Sequence, residues 1–277
     1  MTFGPTKDMM KRISQARHGN GMTSRLLIAF CLGAWCVSAG GSIAFPSPSP
    51  RQAATLESKG KAIEALVSRR HMAADILRDL TTALPGRVWL TEVVCDSATV
   101  QVKGNAPSNN LVADYISRLG TSSCLAEVNL VSSVQRSGWN GTHQEFAVGA
   151  AVRLPPAEKL HEPGSPAGRM QEFEKIMPAQ KDPAGALRQL QEAANEAGLS
   201  ITKLAPGADI PREFYVEWAI AIEVTGSRRD LLQFFEALSD LPRLWIVAKF
   251  SFRTISAEES NSLVRGSLAV SMYRCPT

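Results

Sequence analysis

Apolar positions recur with a different rhythm in each part of this chain, and each rhythm predicts a different kind of element. Residues 26–45 are apolar or small throughout and carry no charge. As a helix rising ~1.5 Å per residue, a run of roughly 20 residues just crosses the hydrocarbon core of a bilayer. Ahead of it stand Lys7, Lys11, Arg12, Arg17 and Arg25 against the single acid Asp8. The positive-inside bias therefore assigns residues 1–25 to a cytoplasmic tip and everything after residue 45 to the far side of the membrane. A secretory signal peptide has the same charged front, and Val37-Ser38-Ala39 is an acceptable cleavage site, but the apolar stretch continues beyond it. A buried core helix would need a polar face that this run lacks. A retained transmembrane helix is the preferred reading, and anchor and signal peptide imply the same compartment for the rest.

Residues 46–55 open with Pro46-Ser47-Pro48-Ser49-Pro50, a stiff spacer that cannot continue a helix. A heptad rhythm then covers 56–84. Leu56, Ile63, Leu77 and Leu84 take position a, and Leu66, Ala73 and Leu80 take position d, with Arg70 and Lys59 as the cationic exceptions. This predicts a stalk helix with Leu56, Ile63, Leu66, Leu77 and Leu80 as candidate interaction residues. Two readings stay open: pairing with another helix as a coiled coil, or a solvated front half with only 76–84 packed on the next domain.

Beyond Leu84-Pro85-Gly86 the rhythm becomes mostly that of strands. Residues 88–95 and 98–103 read as a hairpin turning at Asp96-Ser97 and closed by Gly104. A helix follows from Ser108 as N-cap, with Leu111, Val112, Tyr115, Ile116 and Leu119 on one face. Residues 125–134 and 145–154 make a second hairpin through Asn140-Gly141. A Pro- and Gly-rich linker, 155–181, holds a short helix near 170–176. The unit then returns over 182–277. A helix carries Leu187, Leu190 and Ala194 and stops at Gly198, and a strand covers 199–204. Residues 215–224 alternate strictly, and a helix through Leu231, Phe234, Phe235 and Leu238 opens on Ser227 and Asp230, spaced as a capping box. Strands 244–254 and 263–273 complete the unit.

An order of elements repeated over about 100 residues signals duplication. The expected fold class is α+β: a transmembrane helix and a helical stalk followed by two ferredoxin-like domains, residues 85–154 and 182–277, each a permuted αββαββ unit. Each should hold its own small core, with one sheet face uncovered and two edges open. In that topology Cys95 and Cys124 lie on strands at opposite edges, too far apart for a disulfide.

Composition removes several function classes. Across 277 residues the net charge is only +4, and part of it lies in the tip, which gives no reason to expect nucleic acid. The 5 cysteines include Cys31 and Cys36 inside the apolar run, and the rest lack the spacing of a zinc site or disulfide framework. His18, His71, His143 and His161 are scattered and form no triad or ligand pattern. No phosphate loop or nucleophile elbow is present. Glu217 and Glu223 share the polar face of one strand, where solvated surface is the simplest reading. Asn140-Gly141-Thr142 has the form of a glycosylation acceptor but is better explained as turn chemistry. No catalytic residue, metal site or cofactor is expected.

Residues 84–91, Leu-Pro-Gly-Arg-Val-Trp-Leu-Thr, leading to Val102-Lys103-Gly104 and Ser108-Asn109, resemble the periplasmic domain of the PilN family. Glu223-Val224-Thr225-Gly226-Ser227, Leu231 to Phe235 and the stretch from Leu241-Pro242 to Val247 are similar to PilO and its GspM-type relatives in type II secretion. The resemblance implies a bitopic, non-enzymatic inner-membrane scaffold of a type IV pilus or type II secretion assembly platform, with its N-terminus cytoplasmic and its bulk periplasmic. Implied partners are other inner-membrane assembly proteins, a secretin-linked lipoprotein and pilins, in a homo- or heterodimer. Two departures stand out. One chain carries both domains, and residues 1–24 lack the Asn-Leu-Leu-Pro type of motif that docks an actin-like partner in PilN proteins, although Met9, Met10 and Ile13 offer another apolar contact. A different function class, a periplasmic ligand-binding or cell-wall-associated module using the open sheet faces, is the alternative. An acylphosphatase-like enzyme would need a phosphate-cradling loop that the sequence does not offer.

Overall fold

The computed structural model describes residues 50–138, 141–154, 166–255 and 263–276. The expected cytoplasmic tip, the apolar run 26–45, Asn140 and much of the linker lie outside the described residues. Among the described residues no helix is long and apolar enough to cross a membrane.

The predicted stalk is two helices rather than one: α1 (Pro50–Val67) and α2 (Met72–Thr82). The break falls at Arg70, the cation in the heptad seam. Here Arg69 and Arg70 N–H groups donate to Leu66 and Val67 carbonyls three residues back. The turn is fixed to another part of the chain, because the Arg70 guanidinium donates to the Leu241 carbonyl and the Ser239 hydroxyl donates to the Arg70 carbonyl. A cation thus satisfies the open C-terminal end of a helix, where carbonyls and dipole favour it.

There follow β1 (Trp89–Cys95), β2 (Thr99–Ala106), α3 (Asn109–Gly120), β3 (Leu125–Gly138), β4 (Gly141–Val152), α4 (Pro166–Ile176) and α5 (Pro183–Glu196). The chain ends with β5 (Ser200–Pro211), β6 (Val216–Ser227), α6 (Arg228–Asp240), β7 (Trp245–Thr254) and β8 (Leu263–Arg274). The fold is α+β around one antiparallel sheet of eight strands in the order β3-β4-β2-β1-β7-β8-β6-β5. Within each half the order is first, second, fourth, third strand. The duplication therefore holds at the level of topology. It even reaches one element further back, since α1 precedes the first unit as α4 precedes the second.

Alternation decides which face each strand buries. In β6, Val216, Trp218, Ile220, Ile222 and Val224 are buried, as their spacing predicts. With Val100 and Val102 of β2, Phe146 and Val148 of β4, and Phe250 and Phe252 of β7, the last four of these β6 residues form one face under α2, α3, α5 and α6. Two separate small cores were expected. Instead a single apolar cluster runs beneath both halves. A smaller cluster lies apart from it, with Ile63 and Leu66 of α1 against Phe173 and Met177 at the end of α4 and Leu244, Ile246, Tyr273 and Cys275. The end of α4 is tied to this part of the sheet by the Leu244 and Cys275 N–H groups, which donate to the Ile176 and Met177 carbonyls.

Two strands run past their predicted ends. β3 continues to Gly138 and β5 to Pro211. An edge strand can carry Pro206 and Pro211, because the missing N–H need not face a neighbour. Gly104, expected to close the first hairpin, sits inside β2 opposite Leu90 and Phe146.

Candidate interaction surfaces

The two halves meet by edge-to-edge pairing of β1 with β7. Glu92, Val93, Val94 and Cys95 lie opposite Arg253, Phe252, Ser251 and Phe250 in one unbroken antiparallel register. Both ends of the joint are pinned by opposite charges on the face turned away from α2, α3, α5 and α6. Glu92 accepts from Arg253 across the joint at 2.8 Å and from Lys103 of its own hairpin at 2.8 Å. Just past β1, Asp96 accepts from Lys249 at 3.0 Å. These bonds hold both carboxyls below the usual range: Glu92 through Lys103 first and Arg253 second, Asp96 through Lys249 first and the Ser97 amide second. On the helix side Arg78 of α2 reaches Glu236 of α6 at 2.6 Å. Between these layers the Phe250 and Phe252 rings lie nearly parallel, with centroids 6.4 Å apart.

Sequence reasoning missed these charges, yet a signal existed. Glu92 and Asp96 stand four apart on β1 and just beyond it, and Lys249 and Arg253 four apart on β7. That spacing with opposite signs suits an antiparallel pair in which opposite charges face each other. Isolated surface pairs contribute little stability. Their value here is in register, since a slip of one residue would turn every side chain to the wrong face.

The candidate stalk residues do not form one exposed stripe. Leu77 and Leu80 are fully buried in the main core, Ile63 and Leu66 are buried against α4, and Leu56 is half-buried. Residues 76–84 pack on the main core, as the second of the two open readings has it, while the front half packs on α4 instead of being solvated, because the break at residues 68–71 points α1 and α2 at different layers.

Of the two polar-face carboxylates, Glu223 is an exposed partner of Lys203 at 3.3 Å. Glu217 departs from the solvated reading: it accepts from Ser271 at 2.8 Å and pairs with Arg212 at 3.4 Å. Cys95, Cys124 and Cys275 are free thiols, and burial pushes Cys95 up to about 12. Among the described residues no cluster of His, Cys, Asp and Glu has the arrangement of a metal site. A shallow cleft of about 320 Å³ beside Ala54, Ser58, Glu213 and Phe214 is open to solvent and gathers no convergent charges. The sheet ends in two free edges, β3 and β5, and Leu130, Val131 and Val134 are exposed on β3.

Comparison with known proteins divides the chain along the same line. Residues 75–152 match the family described as fimbrial assembly protein (PilN). Residues 182–276 match the type IVa pilus alignment subcomplex PilO C-terminal domain. The type IV pilus inner membrane component PilO of Pseudomonas aeruginosa is 28% identical over 98 residues, 35% of this chain and 47% of that protein, so the match spans about half the relative's length. Two solved structures are similar in part. The type 4 fimbrial biogenesis protein PilO from Pseudomonas aeruginosa aligns at 24% identity and TM-score 0.33, over 40% of this chain and 87% of that one. The core region of PilO from the same organism's type IV pilus system aligns at 27% identity and TM-score 0.29, over 32% and 90%. A PilN-like segment is thus followed in one chain by a PilO-like segment.

Proposed function

We propose that this chain is a fused PilN–PilO-like scaffold of a type IV pilus alignment subcomplex, held in the inner membrane by residues 26–45 with its bulk in the periplasm. It works by holding other proteins in position and performs no catalysis. Each half is read as a ferredoxin-like domain, 85–154 and 182–277, and the β1–β7 joint as an intramolecular version of pairing between separate subunits. That joint is the observation that best supports the reading, because the segments matching the two families share one sheet and one core. Tethering raises the effective concentration of the second half to the millimolar range typical of short linkers. The stalk enters the same scheme, with α1 ahead of the PilN-like half and α4 ahead of the PilO-like half packed together in the smaller cluster. Pairing through Leu56, Ile63, Leu66, Leu77 and Leu80 between chains would require α1 to leave α4. Both matched families belong to pilus assembly, so the pilus is preferred here over a type II secretion system. Other pilus assembly proteins, including a secretin-linked lipoprotein and pilins, are the proposed partners.

Crosslinking in intact cells followed by mass spectrometry tests this. Pilus inner-membrane components should be captured, and deleting the gene should abolish surface pili, with recovery on complementation. Undiminished piliation in the deletion strain, with no pilus component crosslinked, would refute the assignment. A phosphatase fused after Thr277 should be active only if that end is periplasmic.

A further inference from the structure

The face of the sheet turned away from α2, α3, α5 and α6 carries an aromatic and cationic patch over the joint. In β2, Val100 and Val102 are buried under those helices, so Gln101, Lys103 and Asn105 alternate to the other face. Trp89 of β1 lies opposite Asn105, and Glu92 lies between Lys103 and Arg253. One strand further on, Arg265 of β8 lies directly opposite Arg253. Lys103, Arg253 and Arg265 are exposed, and Trp89 keeps 38% of its surface in water. Trp89 and Asn105 stand one row, about 7 Å, along the strands from this line of charges.

Along that line three cations share one carboxylate. Folding alone does not favour the arrangement. Like charges directly opposite each other on two strands destabilise a sheet, and Glu92 already accepts from two cations at 2.8 Å. A tryptophan left partly in water also forgoes the stabilisation that burying its ring would give. What the patch does favour is an anion held beside a flat apolar ring.

The strands beneath say which kind of anion. β2, β1, β7 and β8 are all interior to the sheet, so their backbone groups are taken by the ladders. An extended peptide that docks by strand addition needs a free edge and finds none here. A ligand on this patch is read by side chains alone, across three strand spacings, about 14 Å. A sugar ring has an apolar face for Trp89 and hydroxyl and amide groups at its rim for Asn105 and Gln101. Carboxylates on the same polymer suit the guanidinium groups of Arg253 and Arg265, which make charge-assisted bonds to them.

We propose that this face binds the carboxylate-bearing glycan of the cell wall, with a sugar ring on Trp89 and acidic groups on Arg253 and Arg265. The inference rests on the periplasmic placement proposed above and on no pilus partner.

The test mixes the full chain, purified in detergent, with peptidoglycan sacculi and reads the sedimented fraction over a salt series. Binding is expected, and it should weaken with salt as the exposed charges are screened. Trp89→Ala and Arg265→Gln should each lower affinity at least fivefold. Lys203→Gln, on β5 at the edge of the same face and paired with Glu223, should leave it unchanged. Arg265→Gln also removes the opposed arginines, so its urea midpoint should equal or exceed the parent's, which separates lost binding from a lost fold. Sacculi with amidated carboxyls should bind at least fivefold more weakly, and poly-glutamate at equal carboxylate concentration should not displace the chain. Protein that stays in the supernatant at low salt overturns the proposal. So does binding that survives Arg265→Gln, or binding that Lys203→Gln weakens equally, which would mean a general charge effect. Displacement by poly-glutamate would make the occupant an acidic peptide and overturn it too. Because purified protein and sacculi suffice, this result and the crosslinking result can fail separately.

Discussion

At Gly104 a Cβ would stand 2.6 Å from the Trp89 carbonyl oxygen and 2.7 Å from the Phe146 ring. The backbone oxygen cannot move without breaking the β1–β2 ladder, so the missing side chain is what lets Phe146 lie across the strand. Gly104→Ala should destabilise the fold by about 1–3 kcal/mol, the range for overpacking. Gly60, inside α1, has nothing within 4 Å of the same added atom. There the change to alanine should stabilise by about 0.5–1 kcal/mol, because it removes backbone freedom from the unfolded chain and crowds nothing. Urea denaturation of the two variants checks both signs; equal shifts in the same direction would mean the contacts around Gly104 do not matter. From sequence alone Gly104 read as the end of a strand. Its partner Phe146 lies 42 positions away by the numbering, and glycine next to a polar residue looks the same at a turn as beneath an aromatic ring.

The helices and strands were largely legible where a local rule sets them. The Ser227 and Asp230 spacing forms a true capping box: the Asp230 N–H donates to the Ser227 hydroxyl, and the Ser227 N–H donates to the Asp230 carboxylate. The shorter aspartate suffices. What local rules could not supply was the partner of β1, because pairing between distant edges leaves no periodicity of its own. Its charges make that joint sensitive to acid. The folded-state pKa values of Glu92 and Asp96 are depressed, so their contribution is present above the ordinary carboxylate range and is lost as pH falls through the folded values. For Glu92, whose ordinary value is 4.5, the loss begins as pH falls below that point. Lys103 and Arg253 are well exposed, with side-chain exposures of 54% and 74%, so each pair should be worth only about 0.5 kcal/mol and less in high salt. Glu92→Gln should therefore lower stability slightly at pH 7 and flatten the acid limb. Urea midpoints from pH 7 to pH 3 measure this, and an acid limb as steep as the parent's would exclude Glu92 from it.

At the scale of the whole molecule the sequence implied two domains with separate cores, and the structure joins them. The reason lies in the residues that each half leaves exposed when considered alone. β1 alone would leave Val93 and Cys95 at the open end of its core, and β7 alone would leave Phe250 and Phe252 there. Pairing removes both edges, and the helix layer closes over the joint through Arg78 and Glu236. Hydrophobic spacing reports that a position is buried but not against what, which is why the core residues were readable and their shared core was not. If the halves are held by this joint and common core, the covalent connection between them should be dispensable once folding is complete. A protease site placed within residues 155–165 and cut in the folded protein should yield two fragments that still elute together at about 10 μM. Fragment association then depends on concentration, because cutting removes the roughly millimolar effective concentration that a short tether supplies. On dilution the fragments should separate, and the urea midpoint, fixed for the intact chain, should fall with protein concentration after cutting. Fragments that part at once at about 10 μM, or an intact chain that unfolds in two separate transitions, would mean the linker holds the halves together and the β1–β7 joint does not.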